Sequence, residues 1–117
     1  MAIVDHNRLQ QYGWPGADGL HRVPPEDPGE LVAKWAAFGW RVLEIDGHDM
    51  AAVVEALETP PDPAGRPTAI VSLTVKGRGV SYMEGRYQWH AGVMTPEQYA
   101  QAMAELGEPP TAEGGAA

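Results

Sequence analysis

An α/β domain built on a partial parallel sheet of about three strands, with flanking helices, is what this sequence predicts. Three observations carry that expectation. Apolar runs of strand character alternate with amphipathic stretches near helical period, in the order β-α-β-α-β, then a loop, then α. The run Thr68 to Val75 is β-branched and bounded by turn residues, which is the strongest strand signal in the chain. Capping residues stand at Asp27, Asp49 and Thr95, each just ahead of a helical pattern. Three parallel strands are few for a sheet whose two faces must both be covered. The sheet is therefore expected to be completed by another chain, or by residues missing ahead of Met1.

The elements follow in order. Ala2-Ile3-Val4 reads as a short buried strand, with Asp5-His6-Asn7 at its carboxyl end. Residues 12–29 are dense in Gly, Pro and Asp and read as a surface loop. Asp27 is a candidate N-cap with Pro28 at N1, and Leu31, Val32, Trp35, Ala36 and Phe38 form an apolar stripe. Gly39 is placed to stop that helix. Trp40 to Asp46 reads as a strand, and Gly47-His48-Asp49 as the turn into a helix from Met50 to about Glu58. Val53, Val54 and Leu57 are its expected inner face. Residues 59–67 are a loop by composition, and 80–94 an irregular stretch. Thr95, Pro96 and Gln98 have capping-box spacing and start a last helix that runs to about Leu106. One domain, residues 1–106, with a disordered tail over 107–117, is the expected organisation.

Composition narrows the function. The chain has 117 residues, with 8 Lys and Arg against 16 Asp and Glu, a formal net charge of -8. A net anion is repelled by phosphate backbones, so nucleic acid is disfavoured as a partner, although a phosphate held through a metal is not. No apolar run approaches the roughly 20 residues of a membrane helix. No basic segment precedes an apolar one in the manner of a secretory signal. The chain has no cysteine, which excludes disulfides, thiolate metal sites and cysteine nucleophiles. A cytoplasmic location is the expectation.

In open α/β sheets, ligands bind beyond the carboxyl ends of the strands. Asp5 to Asn7, Asp46 to Asp49, Lys76 to Gly79, and His90 in the loop beyond all fall there. Asn7 offers an amide oxygen suited to a hard cation such as Mg²⁺. It is equally suited to capping a turn. Lys76-Gly77-Arg78-Gly79 reads either as a phosphate cradle or as a flexible strand exit. His48 and Asp49 read more simply as a turn residue and a helix cap, and His90 has no evident local role in folding. His6 and His21 read as surface residues, and Trp14, Trp35 and Trp40 as packing.

Four segments in order resemble the transketolase family, in particular the N-terminal, diphosphate-binding subunits of split bacterial transketolases. Ala2 to Gln10 is similar to the family's strand ending in Asp-x-Asn-x-Leu-Gln. Lys34 to Asp49, KWAAFGWRVLEIDGHD, is its most recognisable stretch here. Gly65 to Val80, GRPTAIVSLTVKGRGV, resembles its strand and Lys-Gly-x-Gly exit. Tyr82-Met83-Glu84 through Trp89-His90, and Thr95 to Leu106, resemble its closing loop and helix.

The resemblance implies the C-terminal part of a thiamine-diphosphate-binding fold, with thiamine diphosphate and Mg²⁺ as cofactors. It places the metal ligands at the side chain of Asn7 and the carbonyl of Leu9. It places Lys76 and Gly77 beside the cofactor, with Leu9 and His90, and makes His90 the catalytic histidine. The implied reaction is transfer of a two-carbon ketol unit between sugar phosphates, a transferase activity shared with a C-terminal, pyrimidine-binding subunit in a hetero-oligomer. The family's Gly-Asp-Gly segment, with its Asp ligand, is absent ahead of Asn7. The chain is accordingly expected to be a fragment, truncated at its start and inactive alone. His90 is followed by Ala91 rather than the family's commoner Gly, and Gln10-Gln11-Tyr12-Gly13 departs from the usual ending after Leu9. Two alternatives stand beside this reading. One is a non-catalytic binding module that keeps the fold. The other is a deoxyxylulose-phosphate-synthase-like thiamine enzyme, which shares Asp46-Gly47-His48-Asp49 and the Lys-Gly-x-Gly exit.

Overall fold

A computed structural model describes residues 1–9, 14–15, 21–22 and 27–107. Strand β1 spans Ala2–His6, followed by the two-residue strands β2, Trp14–Pro15, and β3, His21–Arg22. Helix α1, Pro28–Ala37, leads to β4, Arg41–Asp46, then α2, Met50–Glu58, and β5, Thr68–Leu73. A 3₁₀ turn at Tyr87–His90 precedes α3, Pro96–Leu106. The main sheet has three parallel strands in the order β1-β5-β4, so the last strand in sequence is the central one. β2 and β3 form a separate antiparallel pair inside the stretch expected to be loop throughout. The expected tail beyond residue 107 lies outside the described residues.

The helix boundaries follow from capping chemistry. Asp27 accepts from the amide of Gly29 at 2.8 Å, and Asp49 from those of Ala51 at 2.9 Å and Ala52 at 3.3 Å. Thr95 and Gln98 exchange side-chain-to-backbone bonds at 3.2 and 2.9 Å, a complete capping box. Gly39, with φ +82°, ends α1 in the left-handed conformation that a side chain disfavours.

The core is centred on β5. Ala69, Ile70 and Val71 are buried, and Ala56 of α2, Val80 and Ala102 of α3 join them. Three expectations about burial are corrected. Among the described residues the opening strand is an edge of the sheet, and its alternation leaves Ile3 62% exposed on the face opposite that of Ala2, Val4 and His6. On α1, Phe38 is 84% exposed, since it lies at the C-cap, past the face that meets β4. On α2 the buried residue is Ala56, whereas Val54 and Leu57 stand half exposed, so the face that meets β4 is rotated from the one the apolar pattern suggests. His6 is also corrected: it is buried at the end of β1.

α3 is tied to the strand exit by polar bonds. Glu105 accepts from the amide and hydroxyl of Ser81, both at 2.6 Å, and from Gln101 at 2.7 Å. Donation from the Ser81 hydroxyl, then from Gln101, then from the Ser81 amide, holds the Glu105 carboxyl below the usual glutamate range. Tyr82 donates to the carbonyl of Gln98 at 2.7 Å, and Trp89 donates to the carbonyl of Tyr82 at 3.0 Å.

Candidate functional site

Three strand exits meet at one end of the sheet. The exit of β4 turns at Gly47, whose amide donates to the carbonyl of Leu73 at 2.8 Å. A Cβ there would collide with Ser72 and Thr74, so only glycine lets the two exits lie this close. At the end of β1, Asp5 accepts from the hydroxyl of Thr74 and, at 3.3 Å, from the amide nitrogen of Asn7. Asn7 in turn accepts from the amide of Leu9 at 2.9 Å, closing an Asx turn with Arg8 at φ +58°. The turn-capping role of Asn7 is therefore real. It leaves one lone pair on Oδ1 for a second partner.

The exit of β5 leads into a chain reversal. The amide of Gly85 donates to the carbonyl of Lys76 at 2.9 Å, and Gly77, with φ +71°, packs against Met83, where a Cβ would lie 2.5 Å from that of Met83. Gly77 thus fixes the direction in which Lys76 is presented. The amides of Arg78 and Gly79 are taken by the Val75 carbonyl at 3.2 Å and Glu84 at 3.0 Å, so neither is available to cradle a phosphate.

Asn7, Leu9 and Lys76 line a pocket of about 100 Å³ that continues to Gly85, and a smaller one of about 40 Å³ that continues to Tyr87 and His90. Four residues singled out from separate parts of the sequence, Asn7, Leu9, Lys76 and His90, are brought together here. Tyr87 belongs to the same wall and is not among the residues the sequence pattern marks. In a 3₁₀ turn residues i and i+3 eclipse, so Tyr87 and His90 share a face. Their spacing is visible in the sequence, but the 3₁₀ turn is not. Trp89, packed against Tyr82 with ring centroids 5.3 Å apart, anchors the turn that presents His90.

The donor set fits part of a hard-cation site. Asn7 and Leu9 line the same pocket, and the oxygens they have to offer, a side-chain amide and a backbone carbonyl, are the neutral donors that Mg²⁺ accepts. Among the described residues no group of three or more His, Cys, Asp or Glu is placed to hold a metal. The nearby carboxylate of Asp5 is already engaged by Thr74 and Asn7. The remaining ligands of such an ion would come from elsewhere.

A larger cleft of about 440 Å³ adjoins this pocket across Arg8, Thr74 and Val75, and extends to His6, Asp46, His48 and Arg78. His48 accepts from the amide of Val75 at 2.7 Å through Nε2, while its own amide donates to Asp46 at 2.8 Å. It is a bridge between two strand exits, more than the simple turn residue its sequence position suggests. The buried Nε2 of His6 has no hydrogen-bond partner among the described residues. Leaving such a group unsatisfied costs about 1–3 kcal/mol.

Comparison with known proteins bears on all of this. The family described as transketolase, thiamine diphosphate binding domain, matches residues 21–113, a range that holds Lys76, Gly77 and His90 and begins after Asn7 and Leu9. The chain is 39% identical over 111 residues to an apulose-4-phosphate transketolase subunit of Phocaeicola vulgatus, covering 92% of this chain and 36% of that protein. It is 37% identical over 106 residues to 6-deoxy-6-sulfo-D-fructose transketolase subunit SqwG of a Clostridium species, covering 91% and 36%. It is 35% identical over 107 residues to human transketolase-like protein 2, covering 91% and 16%. The chain thus spans little more than a third of the length of the bacterial subunits it matches. Among the described residues no helix is long and apolar enough to cross a membrane.

Proposed function

The chain belongs to the transketolase family, and on that premise we propose that it forms part of the thiamine-diphosphate-binding half of a two-chain transketolase. The observation that carries this reading is the convergence of Asn7, Leu9, Lys76 and His90 on one pocket at the strand ends. In the proposed site, Asn7 Oδ1 and the Leu9 carbonyl hold a Mg²⁺ ion. The Lys76 ammonium adds a point charge toward the cofactor diphosphate. When bound, thiamine diphosphate supplies the electron sink for breaking and making the carbon–carbon bond of a two-carbon ketol unit. His90, on its anchored turn, moves a proton to or from a hydroxyl oxygen of the substrate. Gly77 acts by positioning Lys76.

Residues 1–106 are the working unit of this proposal, acting in the cytoplasm. The bacterial relatives are named as transketolase subunits, which supports a partner chain, here a C-terminal, pyrimidine-binding subunit in a hetero-oligomer. Their names also support a sugar substrate that carries an anionic group, phosphate or sulfonate. With only two neutral oxygens for the metal among the described residues, the chain alone binds cofactor weakly and is inactive. That same shortage of carboxylates is what favours the competing reading, a non-catalytic module.

Calorimetric titration of thiamine diphosphate with Mg²⁺ separates the two. It is run on the chain alone and on a form joined to the preceding segment of the Phocaeicola vulgatus relative, each with and without the C-terminal partner. Mg²⁺-dependent binding that strengthens in the joined form supports the enzyme. If no form binds while circular dichroism shows each folded, the module is the correct reading.

A further inference from the structure

The larger cleft, between the ends of β1 and β4, has no part in the proposed reaction, yet it holds a buried polar atom with no partner among the described residues. His6 is 9% exposed, and its Nε2 is unpartnered. We propose that this cleft is a second oxyanion site, taking one tetrahedral group of the phosphate or sulfonate kind, separate from the pocket assigned to the cofactor diphosphate.

Four features of the cleft point to an anion. The ring of His6, in the tautomer with its proton on Nε2, is a buried donor that lacks an acceptor. Arg8 lines the cleft and makes no ion pair among the described residues. Arg78 also lines it, and its nearest carboxylate, Glu84, is 3.9 Å away and accepts from the Gly79 amide. His48 accepts through Nε2 from Val75, which leaves its Nδ1–H as a further donor. Guanidinium groups stay charged at any working pH. Two of the chain's eight Lys and Arg residues therefore lie in one cleft of a molecule whose net charge is -8. Among the described residues the one carboxylate on the wall is Asp46, which accepts from the His48 amide. A volume of about 440 Å³ holds an oxyanion together with a small attached body.

The same chemistry could arrive as free phosphate or as the terminal phosphate of a sugar. The test titrates the full chain with inorganic phosphate and then with fructose 6-phosphate, following the His6 ring resonances by NMR. Both titrations are repeated with saturating thiamine diphosphate and Mg²⁺. Arg78→Gln is expected to weaken phosphate binding about tenfold and to leave the cofactor titration unchanged. Lys76→Gln is expected to do the reverse, and Arg8→Gln replaces Arg78→Gln should the latter disturb folding, read on phosphate binding alone because Arg8 also lines the cofactor pocket. Fructose 6-phosphate binding at least ten times more tightly than phosphate supports the cleft and identifies a sugar terminus. Equal affinities support it as a site for the free ion. Phosphate affinity indifferent to Arg78→Gln and Arg8→Gln in folded protein overturns the proposal, as does competition between phosphate and thiamine diphosphate for a single site. Because the first phosphate titration contains no cofactor, its failure leaves the reading of the diphosphate pocket untouched, and the converse holds.

Discussion

The tripeptide Ala-Ile-Val occurs in both β1 and β5, and the two copies pair in register, Ala2 with Ala69, Ile3 with Ile70 and Val4 with Val71. Their environments are opposite. Ile70 is 1% exposed and Ile3 is 62% exposed. Identical residues on one ladder differ because β5 has a strand on each side and β1, among the described residues, has one. Burial here is a property of position in the sheet, which no local pattern encodes. The site inherits the difference. Thr74, Val75 and Lys76 leave a strand fixed by close packing, whereas Asn7 and Leu9 leave an edge strand and are held by the Thr74–Asp5 and Asn7–Leu9 bonds.

The contrast can be broken by mutation. Ile70→Ala removes the largest buried side chain of the central strand and should destabilise the protein by about 3 kcal/mol in urea unfolding. Thr95→Ala removes half of the capping box of α3 and should cost about 1 kcal/mol in the same measurement. Acid should act through Glu105. Its carboxyl is held below the ordinary range, so its contribution is present above the unfolded-state value of about pH 4.3 and is lost as pH falls through the lower folded value. Glu105→Gln should flatten that part of the unfolding profile relative to the parent protein. The smallest effect should be that of Ile3→Ala, less than about 0.5 kcal/mol in the chain alone. A cost matching that of Ile70→Ala would show that β1 is covered in solution.

The ends of elements are more legible in the sequence than their faces. Asp27, Gly39, Asp49 and the Thr95–Gln98 pair act within a turn of their own positions, and each has the role read from it. The faces of α1 and α2 depart from the apolar pattern at Phe38, Val54 and Leu57. What covers an apolar side chain is decided by elements distant in sequence, and the sheet supporting these helices has three strands among the described residues. The site shows the same division. Asn7, Leu9, Lys76 and His90 are legible because strand carboxyl ends and motif residues mark them. Tyr87 is not, because its place depends on a 3₁₀ turn held by Trp89 and Tyr82. His6 reads as a surface residue in the sequence because of its polar type, although the alternation of β1 places it on the inward face with Ala2 and Val4.

The most direct test of the proposed cofactor site replaces Mg²⁺ with paramagnetic Mn²⁺, which broadens the NMR signals of nearby nuclei. Isotope-labelled chain is titrated with Mn²⁺ in the presence of thiamine diphosphate. The expected result is broadening centred on Asn7 and Leu9, reaching Lys76 and His90 and sparing Asp62 and Arg66 in the loop that enters β5. Broadening spread evenly over the acidic surface, or centred away from Asn7 and Leu9, would contradict the assignment of this pocket to the cofactor and its metal.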